Sequence, residues 1–173
     1  MINSLKLFLV GMPGCGKSTL GRELAIRLGR TFLDLDDEIE QSTSSSIKQI
    51  FEQKGEAEFR KIEQKQLHQS IEAKDTFIMA TGGGTPCFFD NMDVLLKSGV
   101  VIFLDVPVDT IVSRLSQNSG TQDRPLLADH SNNDLMMELS KKLEERRSYY
   151  IQASHIMSKS NIDVEEILAL LSK

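Results

Sequence analysis

The segment Gly11–Ser18, which reads GMPGCGKS, has the residue types and spacing of a loop that wraps around phosphate groups. Its glycines let successive backbone N–H groups point inward, and Lys17 and Ser18 supply an ammonium for phosphate oxygens and a hydroxyl for Mg²⁺. An apolar run ends at Val10, and an amphipathic pattern begins at Lys17, so the loop lies between a buried strand and a helix. Motif and context together predict a site for a nucleoside triphosphate. We assign to it Gly11, Gly14, Cys15, Gly16, Lys17, Ser18 and Thr19.

Two carboxylates, Asp34 and Asp36, follow the next short apolar run of the chain. Ligands of open α/β sheets bind beyond the carboxyl ends of the strands. With a strand over residues 31–35, the two carboxylates alternate along it and share a direction, and Leu35 faces the core. Two carboxylates at that edge can serve Mg²⁺ and a substrate hydroxyl. A solvated turn or a helix N-cap is the alternative interpretation.

An arginine, Arg60, falls on the apolar side of a predicted helix together with Glu63. A charged group in that position needs a partner. The pattern fits a purely structural ion pair and equally an anion site in which Glu63 orients the guanidinium. The triplet Gly82, Gly83 and Gly84 follows the third predicted strand and lets the backbone approach a ligand closely.

Three further arginines are candidates for anion contacts. Arg146 falls close to the apolar stripe of the long helix predicted over residues 134–153, whereas Arg147 lies farther round. Arg124 lies in a polar segment, where a mobile loop can close over transferring phosphates, although an ordinary surface arginine has the same pattern.

Apolar runs and helical periodicity alternate along the chain, which predicts a parallel sheet covered on both faces. The predicted strands cover residues 5–10, 31–35, 76–80, 100–104 and 155–158. The predicted helices cover residues 17–28, 46–54, 56–73 (after a break at Gly55), 108–115 and 134–153, with a last helix capped by Asp163 and a capping box to Glu166.

The chain has 173 residues, which is the size of one domain, and a formal net charge of −5. That charge disfavours a general nucleic-acid partner.

No apolar run is long enough for a transmembrane helix, so we expect no membrane partner. Two cysteines are too few for a disulfide framework, and a cytoplasmic location fits them best. No interface stripe is evident, and we expect a monomer.

Considered together, these segments resemble the shikimate kinase family, from the first strand to the last helix. The matching pieces are GMPGCGKST, LDLD, IFEQKGEAEFRKIE, TGGG, DRPLL and ERRSYY. The resemblance implies a single α/β P-loop kinase domain over residues 1–173, with a five-stranded parallel sheet in the order 2-3-1-4-5 and helices on both faces. It also implies a substrate-binding region at about 36–73 and a mobile lid at about 116–130.

The same resemblance implies that ATP phosphorylates the 3-hydroxyl of shikimate, with Mg²⁺ as cofactor. It implies Mg²⁺ on Ser18 with help from Asp34, and Asp36 as the carboxylate that holds the acceptor hydroxyls and draws off the proton. The remaining implied contacts are Arg60 and Arg146 to the shikimate carboxylate, Gly82, Gly83 and Gly84 around the substrate, Arg124 to the phosphates and Arg114 to adenine. Lys17, Asp36 and Arg124 are thus the expected catalytic residues.

Several alternatives stay open at the level of sequence. Asp105, which follows a strongly apolar strand, competes with Asp34 for the metal, and Arg147 competes with Arg146 through a shift of register. Another small-molecule kinase, acting on gluconate or a nucleoside monophosphate, shares the phosphate loop but needs other acceptor contacts. A non-catalytic nucleotide-binding regulatory module needs no acceptor pocket, so the paired carboxylates and inward arginines argue against it.

Overall fold

Five parallel strands form one sheet in the computed structural model, which describes residues 6–117 and 132–172. The strands are β1 (Lys6–Val10), β2 (Phe32–Asp34), β3 (Ile78–Ala80), β4 (Gly99–Leu104) and β5 (His155–Met157), in the order β2-β3-β1-β4-β5. Central β1 pairs with β3 through Leu7 and Ile78 and with β4 through Leu9 and Ile102. This confirms the predicted order.

Helices connect successive strands and cover the sheet. They are α1 (Lys17–Leu28), α2 (Leu35–Thr43), α3 (Ile47–Ala73), α4 (Asn91–Ser98), α5 (Val108–Gln117), α6 (Asn132–Tyr150) and α7 (Val164–Leu171), with a short 3₁₀ helix at Thr85–Cys87. Neighbouring residues of a strand point to opposite faces. Because Leu7, Phe8, Leu9 and Val10 of β1 are all buried, both faces of the sheet are covered.

The prediction that Asp34 and Asp36 lie on one strand is wrong. Strand β2 ends at Asp34, whose side chain accepts a hydrogen bond from the N–H of Asp36 (3.2 Å) and caps α2. An aspartate at the N-cap, followed by acidic residues in the first turn, favours a helix start because both offset its positive end. Asp36 therefore lies in the first turn of α2, a helix that we did not predict.

Other predicted elements differ mainly at their ends. The break at Gly55 in α3 is confirmed, since its φ of 77° is not helical. Helix α4 was not predicted, although Met92 and Leu95 give it a buried side and Gly99 follows its last residue. Asp163 caps α7 as predicted. The capping box is wrong, however, because the Glu166 carboxylate accepts from Lys159 instead.

Most of the predicted lid lies outside the described residues. Residues 116 and 117 are the end of α5, whereas 118–130, and with them Arg124, are not described. Over residues 6–117 and 132–172, no helix combines the length and apolarity that crossing a bilayer requires.

Candidate active site

The loop between β1 and α1 forms a cradle of backbone groups. Gly16, the N-cap of α1, has φ 102°, in the left-handed region that favours glycine, and so turns the chain directly into the helix. Lys17 is buried, and its ammonium donates to the carbonyls of Gly11 (2.9 Å) and Met12 (3.0 Å). These bonds hold a positive charge inside the loop, beside the positive end of α1, which favours an anionic ligand.

The first residues of α1 and the end of β2 meet at Ser18 and Asp34. The Ser18 hydroxyl donates to Oδ2 of Asp34 (2.6 Å), while Oδ1 of the same carboxylate caps α2. The two side chains thus present hard oxygen donors next to the phosphate cradle. Such oxygens suit Mg²⁺, which is commonly held by one or two protein groups together with phosphates and waters.

Asp36 lies in the first turn of α2, two residues after Asp34. Burial, together with the smaller effects of the charges of Asp34 and Glu63, raises the pKa of its carboxyl to about 6, and the charge of Lys17 opposes this rise. A Cβ atom added at Gly82 would lie 3.2 Å from Oδ1 of Asp36, so the carboxylate borders the glycine triplet. A carboxylate with a raised pKa is a stronger proton acceptor than an ordinary aspartate, which suits it to a substrate hydroxyl.

Arg60 is only 8% exposed and is held by two glutamates of its own helix. Its Nη1 donates to Glu63 (2.9 Å), and its Nε and Nη2 donate to Glu56 (3.3 and 3.0 Å). Glu63 is itself 1% exposed. The predicted pair of Arg60 and Glu63 on the inner side of the helix is therefore present.

Residues after the glycine triplet complete the surroundings of Arg60. A Cβ atom at Gly84 would lie 2.7 Å from Nη2 of Arg60, so the guanidinium lies directly against the backbone there. The ring of Phe88 has its centroid 4.1 Å from the guanidinium carbon, and the Thr85 hydroxyl donates to Glu63 (2.6 Å). Sequence reasoning missed Thr85 and Phe88. Their position next to the triplet is the signal that could have identified them.

The structure distinguishes the two adjacent arginines of α6. A Cβ atom at Gly83 would lie 3.2 Å from Nη1 of Arg146, so Arg146 faces the glycine triplet. Arg147 points outward and forms a two-bond ion pair with Asp105 (2.9 and 3.0 Å). Tyr150, one turn later, donates from its hydroxyl to the Gly83 carbonyl (2.5 Å), which ties α6 to the same loop.

Arg114 of α5 lies on the other side of the phosphate loop. Its guanidinium donates to the carbonyls of Cys15 (3.1 Å) and Ser160 (2.7 Å). It is therefore next to the phosphate loop, and a Cβ atom added at Gly16 would lie 3.6 Å from its Nη1.

The arrangement combines a phosphate cradle with a second site for an anion. Backbone N–H groups, Lys17 and Ser18 form the first, and Asp36 lies between it and the two guanidinium groups beside Gly83 and Gly84. Such a site can align a triphosphate with a hydroxyl of a carboxylate-bearing acceptor for in-line transfer.

Comparisons with known proteins agree with this chemistry. A family model described as shikimate kinase matches residues 13–172. A shikimate kinase of Phocaeicola vulgatus is 39% identical over 91% of this chain and 89% of its own length. One of Parabacteroides distasonis is 42% identical over 86% of this chain and 84% of its own length.

Solved structures give the same family. The crystal structure of a shikimate kinase from Bacteroides thetaiotaomicron has a TM-score of 0.91 and 34% identity, covering 98% of this chain and 99% of that one. A shikimate kinase from Acinetobacter baumannii in complex with shikimate has a TM-score of 0.84 and 34% identity, covering 97% and 93%. A gluconokinase from Sinorhizobium meliloti, with a TM-score of 0.56 and 15% identity over 97% of this chain and 89% of its own, shares the fold only.

Proposed function

The chain belongs to the shikimate kinase family and is an ATP-dependent kinase acting on shikimate, and from that premise we propose which residues carry the reaction. The γ-phosphoryl group of ATP passes to the 3-hydroxyl of shikimate, which gives shikimate 3-phosphate and ADP. The observation that carries the assignment of residues is that two guanidinium groups, of Arg60 and Arg146, lie against the adjacent glycines 84 and 83.

On the nucleotide side, the phosphates lie in the loop from Gly11 to Thr19. Lys17 leaves the Gly11 and Met12 carbonyls, or shares their bonds, to reach the β- and γ-phosphates as a point charge. Arg114 borders the adenine in this assignment, as the resemblance to the family implies, and its bond to the Cys15 carbonyl places it beside the loop. Arg124, outside the described residues, stays a predicted contact to the phosphates.

Ser18 and Asp34 are the residues that fit Mg²⁺. Their oxygens already face each other across 2.6 Å, and no soft ligand is needed for this ion. When bound, Mg²⁺ neutralises charge on the β- and γ-phosphates and orients them. The protein holds the Ser18 hydroxyl and the Asp34 carboxylate together beside the phosphate loop.

Asp36 positions the acceptor hydroxyl and takes up its proton during transfer. With a pKa of about 6, its carboxylate is largely ionised at neutral pH and yet more basic than an unperturbed aspartate. Lys17, which lowers this pKa, keeps the ionised form available. Phosphoryl transfer needs little covalent chemistry from the protein, so positioning and charge neutralisation make up the rest of catalysis.

Arg60 and Arg146 bind the carboxylate of shikimate. A guanidinium binds a carboxylate through two parallel N–H bonds, and this geometry is stronger and more specific than contact with a point charge. Glycines 82, 83 and 84 let their neighbours pack closely, because an added Cβ atom would lie 2.9 Å from Glu63 at Gly82, 2.8 Å from Pro13 at Gly83 and 2.7 Å from Arg60 at Gly84. In our proposal, the acceptor ring lies against this side-chain-free backbone. The acceptor site thus selects a small, carboxylate-bearing polyol.

An acceptor panel tests this assignment. Purified protein with MgATP is offered shikimate, gluconate and AMP in parallel, and ADP release is measured by a coupled assay. We expect activity with shikimate only. Release of ADP with gluconate or AMP at comparable kcat/KM, and none with shikimate, would overturn the proposal. Absence of release with every acceptor would favour the non-catalytic regulatory module.

The arginine assignment needs its own variants. Arg60→Ala should raise the KM for shikimate roughly ten- to hundredfold and leave the KM for ATP nearly unchanged, because a charge-assisted bond of about 1.5–3 kcal/mol is lost. Arg27→Ala, at an exposed arginine of α1, is the matched control. An unchanged shikimate KM in folded Arg60→Ala would leave Arg60 as a structural partner of Glu63.

A cytoplasmic location, a monomeric state and the lack of nucleic-acid and membrane partners stay predictions.

A further inference from the structure

We propose that Thr85 and Phe88 are positioning residues for the acceptor: they hold the guanidinium of Arg60 in the plane and rotation that a carboxylate needs. The inference rests on the proposed role of Arg60. Both residues belong to the segment after the glycine triplet, at the 3₁₀ helix Thr85–Cys87 and just beyond it. Both residues are distant in sequence from Arg60, which lies in the middle of α3.

Thr85 acts through Glu63. One oxygen of the Glu63 carboxylate accepts from Nη1 of Arg60 (2.9 Å), and the other accepts from the Thr85 hydroxyl (2.6 Å). With a single partner, the carboxylate could rotate about its last bond and take the guanidinium with it. With both oxygens bonded, this rotation is blocked, and a buried carboxylate that is satisfied on both sides holds its partner firmly.

Thr85 is itself fixed. It is fully buried, and its carbonyl accepts from the side-chain amide of Asn91 (2.9 Å), which is the first residue of α4. The chain of contacts therefore runs from α4 through Thr85 and Glu63 to Arg60. Rigid secondary structure lies at both ends of it, which is the condition for holding a binding group in place.

Phe88 acts on the face of the guanidinium. Its ring centroid lies 4.1 Å from the guanidinium carbon, which is within the range of a cation–π contact. The backbone at Gly84 approaches the same group so closely that a side chain there would lie 2.7 Å from Nη2. The ring and the backbone therefore restrict the guanidinium to one position in the pocket.

The restriction leaves the binding donors available. The three bonds to Glu56 and Glu63, the ones found among residues 6–117 and 132–172, use three of the five N–H groups of Arg60. One N–H on each terminal nitrogen is left, and these two can serve the oxygens of an acceptor carboxylate. Ordering a long side chain on binding costs conformational entropy, and a guanidinium that is already ordered avoids this cost.

The primary test is Thr85→Val, which keeps the shape of the side chain and removes the hydroxyl. We expect a KM for shikimate raised about five- to twentyfold, with kcat and the KM for ATP within about twofold, because a bond to a charged group is lost one step away from the substrate. Thr85→Ser, which restores the hydroxyl, should return the KM close to wild type.

Thr81→Val is the matched control. The Thr81 hydroxyl is also buried at the end of β3, but it donates to the Leu9 carbonyl and has no part in the contacts of Arg60. This variant should lower the melting temperature without raising the shikimate KM. If Thr85→Val does not fold, Thr85→Ala replaces it with the same expectation.

A double variant separates positioning from general destabilisation. In the Arg60→Ala background, Thr85→Val should cause no further rise in shikimate KM, because its effect passes through the guanidinium. Phe88→Leu should raise the KM about two- to tenfold in the wild type, as expected for a lost cation–π contact, and should also have no effect in the Arg60→Ala background. Additive effects on KM would overturn the proposal.

The outcomes also separate this inference from the function on which it rests. If Arg60→Ala raises the shikimate KM but Thr85→Val and Phe88→Leu do not, the positioning role is wrong and the binding role of Arg60 stands. If folded Arg60→Ala leaves this KM unchanged, the binding role fails and the positioning role fails with it.

Discussion

The proposed active site has a nucleotide half, which is formed mainly by backbone groups, and an acceptor half, which is formed mainly by side chains. In the proposed assignment, the nucleotide half uses one continuous segment, Gly11–Ser18, whose backbone and one lysine surround the phosphates. The acceptor half uses side chains from α2, α3 and α6 that meet at the glycine triplet after β3. A backbone cradle tolerates many side-chain changes, whereas a pocket of side chains depends on each contributor. Variants should therefore affect the acceptor half in more places and with greater specificity for one substrate.

The largest effect is expected where the halves meet, at Asp36. Asp36→Asn keeps the size of the side chain and removes the proton acceptor, so kcat should fall about 10²–10⁴-fold. Steady-state kinetics at saturating ATP and shikimate measures it. Asp37→Asn, at the next residue of α2 and with an exposed side chain, is the control and should keep most of its activity. A kcat for Asp36→Asn within tenfold of wild type would contradict the assignment.

The same substitution should stabilise the fold at neutral pH. The folded-state pKa of Asp36, about 6, lies above the 3.8 of an unperturbed aspartate, so its ionised form is disfavoured in the folded protein. The stability that the protonated group contributes is complete below about pH 4 and is lost as the pH rises through 6, at a cost of up to about 3 kcal/mol. Urea unfolding of Asp36→Asn and wild type at pH 4 and pH 7 tests this. We expect the variant to gain relative stability at pH 7.

Lys17→Met tests the nucleotide half. The backbone cradle stays in place, but the positive charge aimed at the transferring phosphate is lost, so kcat should fall about 10²–10³-fold. A thermal melt is needed as well, because the ammonium also satisfies the Gly11 and Met12 carbonyls in the folded protein. Lys48→Met, at an exposed lysine of α3, is the control. More than about a tenth of wild-type kcat in folded Lys17→Met would count against a phosphate-loop kinase.

The adjacent arginines of α6, Arg146 and Arg147, should affect shikimate binding to different extents. Arg146→Ala should raise the shikimate KM about ten- to hundredfold, because Arg146 faces Gly83. Arg147→Ala should change this KM less than about threefold, because Arg147 points outward, and should lower the melting temperature, because the Asp105 side chain is only 12% exposed and would lose two bonds. Equal effects of the two variants on the shikimate KM would contradict the conclusion that Arg146 faces the acceptor site and Arg147 points away from it.

The contacts of Arg114 and Arg124 to the nucleotide stay predictions, but the strand, loop and helix of the nucleotide half could be predicted from the sequence. Its residues are contiguous, and a glycine-rich loop between a strand and a helix has few other uses. The acceptor half could be predicted only in part. Helical periodicity placed Arg60, Glu63 and Arg146 on the inner sides of their helices, and the structure agrees. Periodicity gives the direction of a side chain on its own helix, but it does not say which other helix it meets.

The remaining differences have local causes. Asp36 was expected on a strand because the run LDLD alternates, but the N-cap at Asp34 outweighs this pattern and begins a helix. Thr85 and Phe88 were missed because their partners are about 20 or more residues away along the chain, at Glu63 and Arg60. Such tertiary contacts leave no periodic signal in the sequence.

Asp34 and Asp105 are the two candidate carboxylates for supporting Mg²⁺. Asp34 is the last residue of β2 and Asp105 directly follows β4, and both resemble metal-supporting carboxylates in the sequence. In the structure, Asp105 has both oxygens bonded to Arg147, and one of them also accepts from Ser158 (3.0 Å). Asp34 instead faces the Ser18 hydroxyl of the phosphate loop. A carboxylate committed to an arginine holds two elements together, whereas one beside a hydroxyl can serve an ion.

Titration of Mg²⁺ at fixed ATP measures the difference. Asp34→Asn should raise the Mg²⁺ concentration for half-maximal activity about 10–100-fold, as expected when a supporting carboxylate is lost, and added Mg²⁺ should restore much of the rate. Asp105→Asn should leave this concentration within about twofold of wild type and lower the melting temperature, since the bonds of Asp105 to Arg147 and Ser158 are weakened. If added Mg²⁺ rescues Asp105→Asn and not Asp34→Asn, the metal belongs to the β4 side of the site. The nucleotide half would then include a side chain, Asp105, that is distant in sequence from the phosphate loop, just as the acceptor half combines side chains from segments distant in sequence.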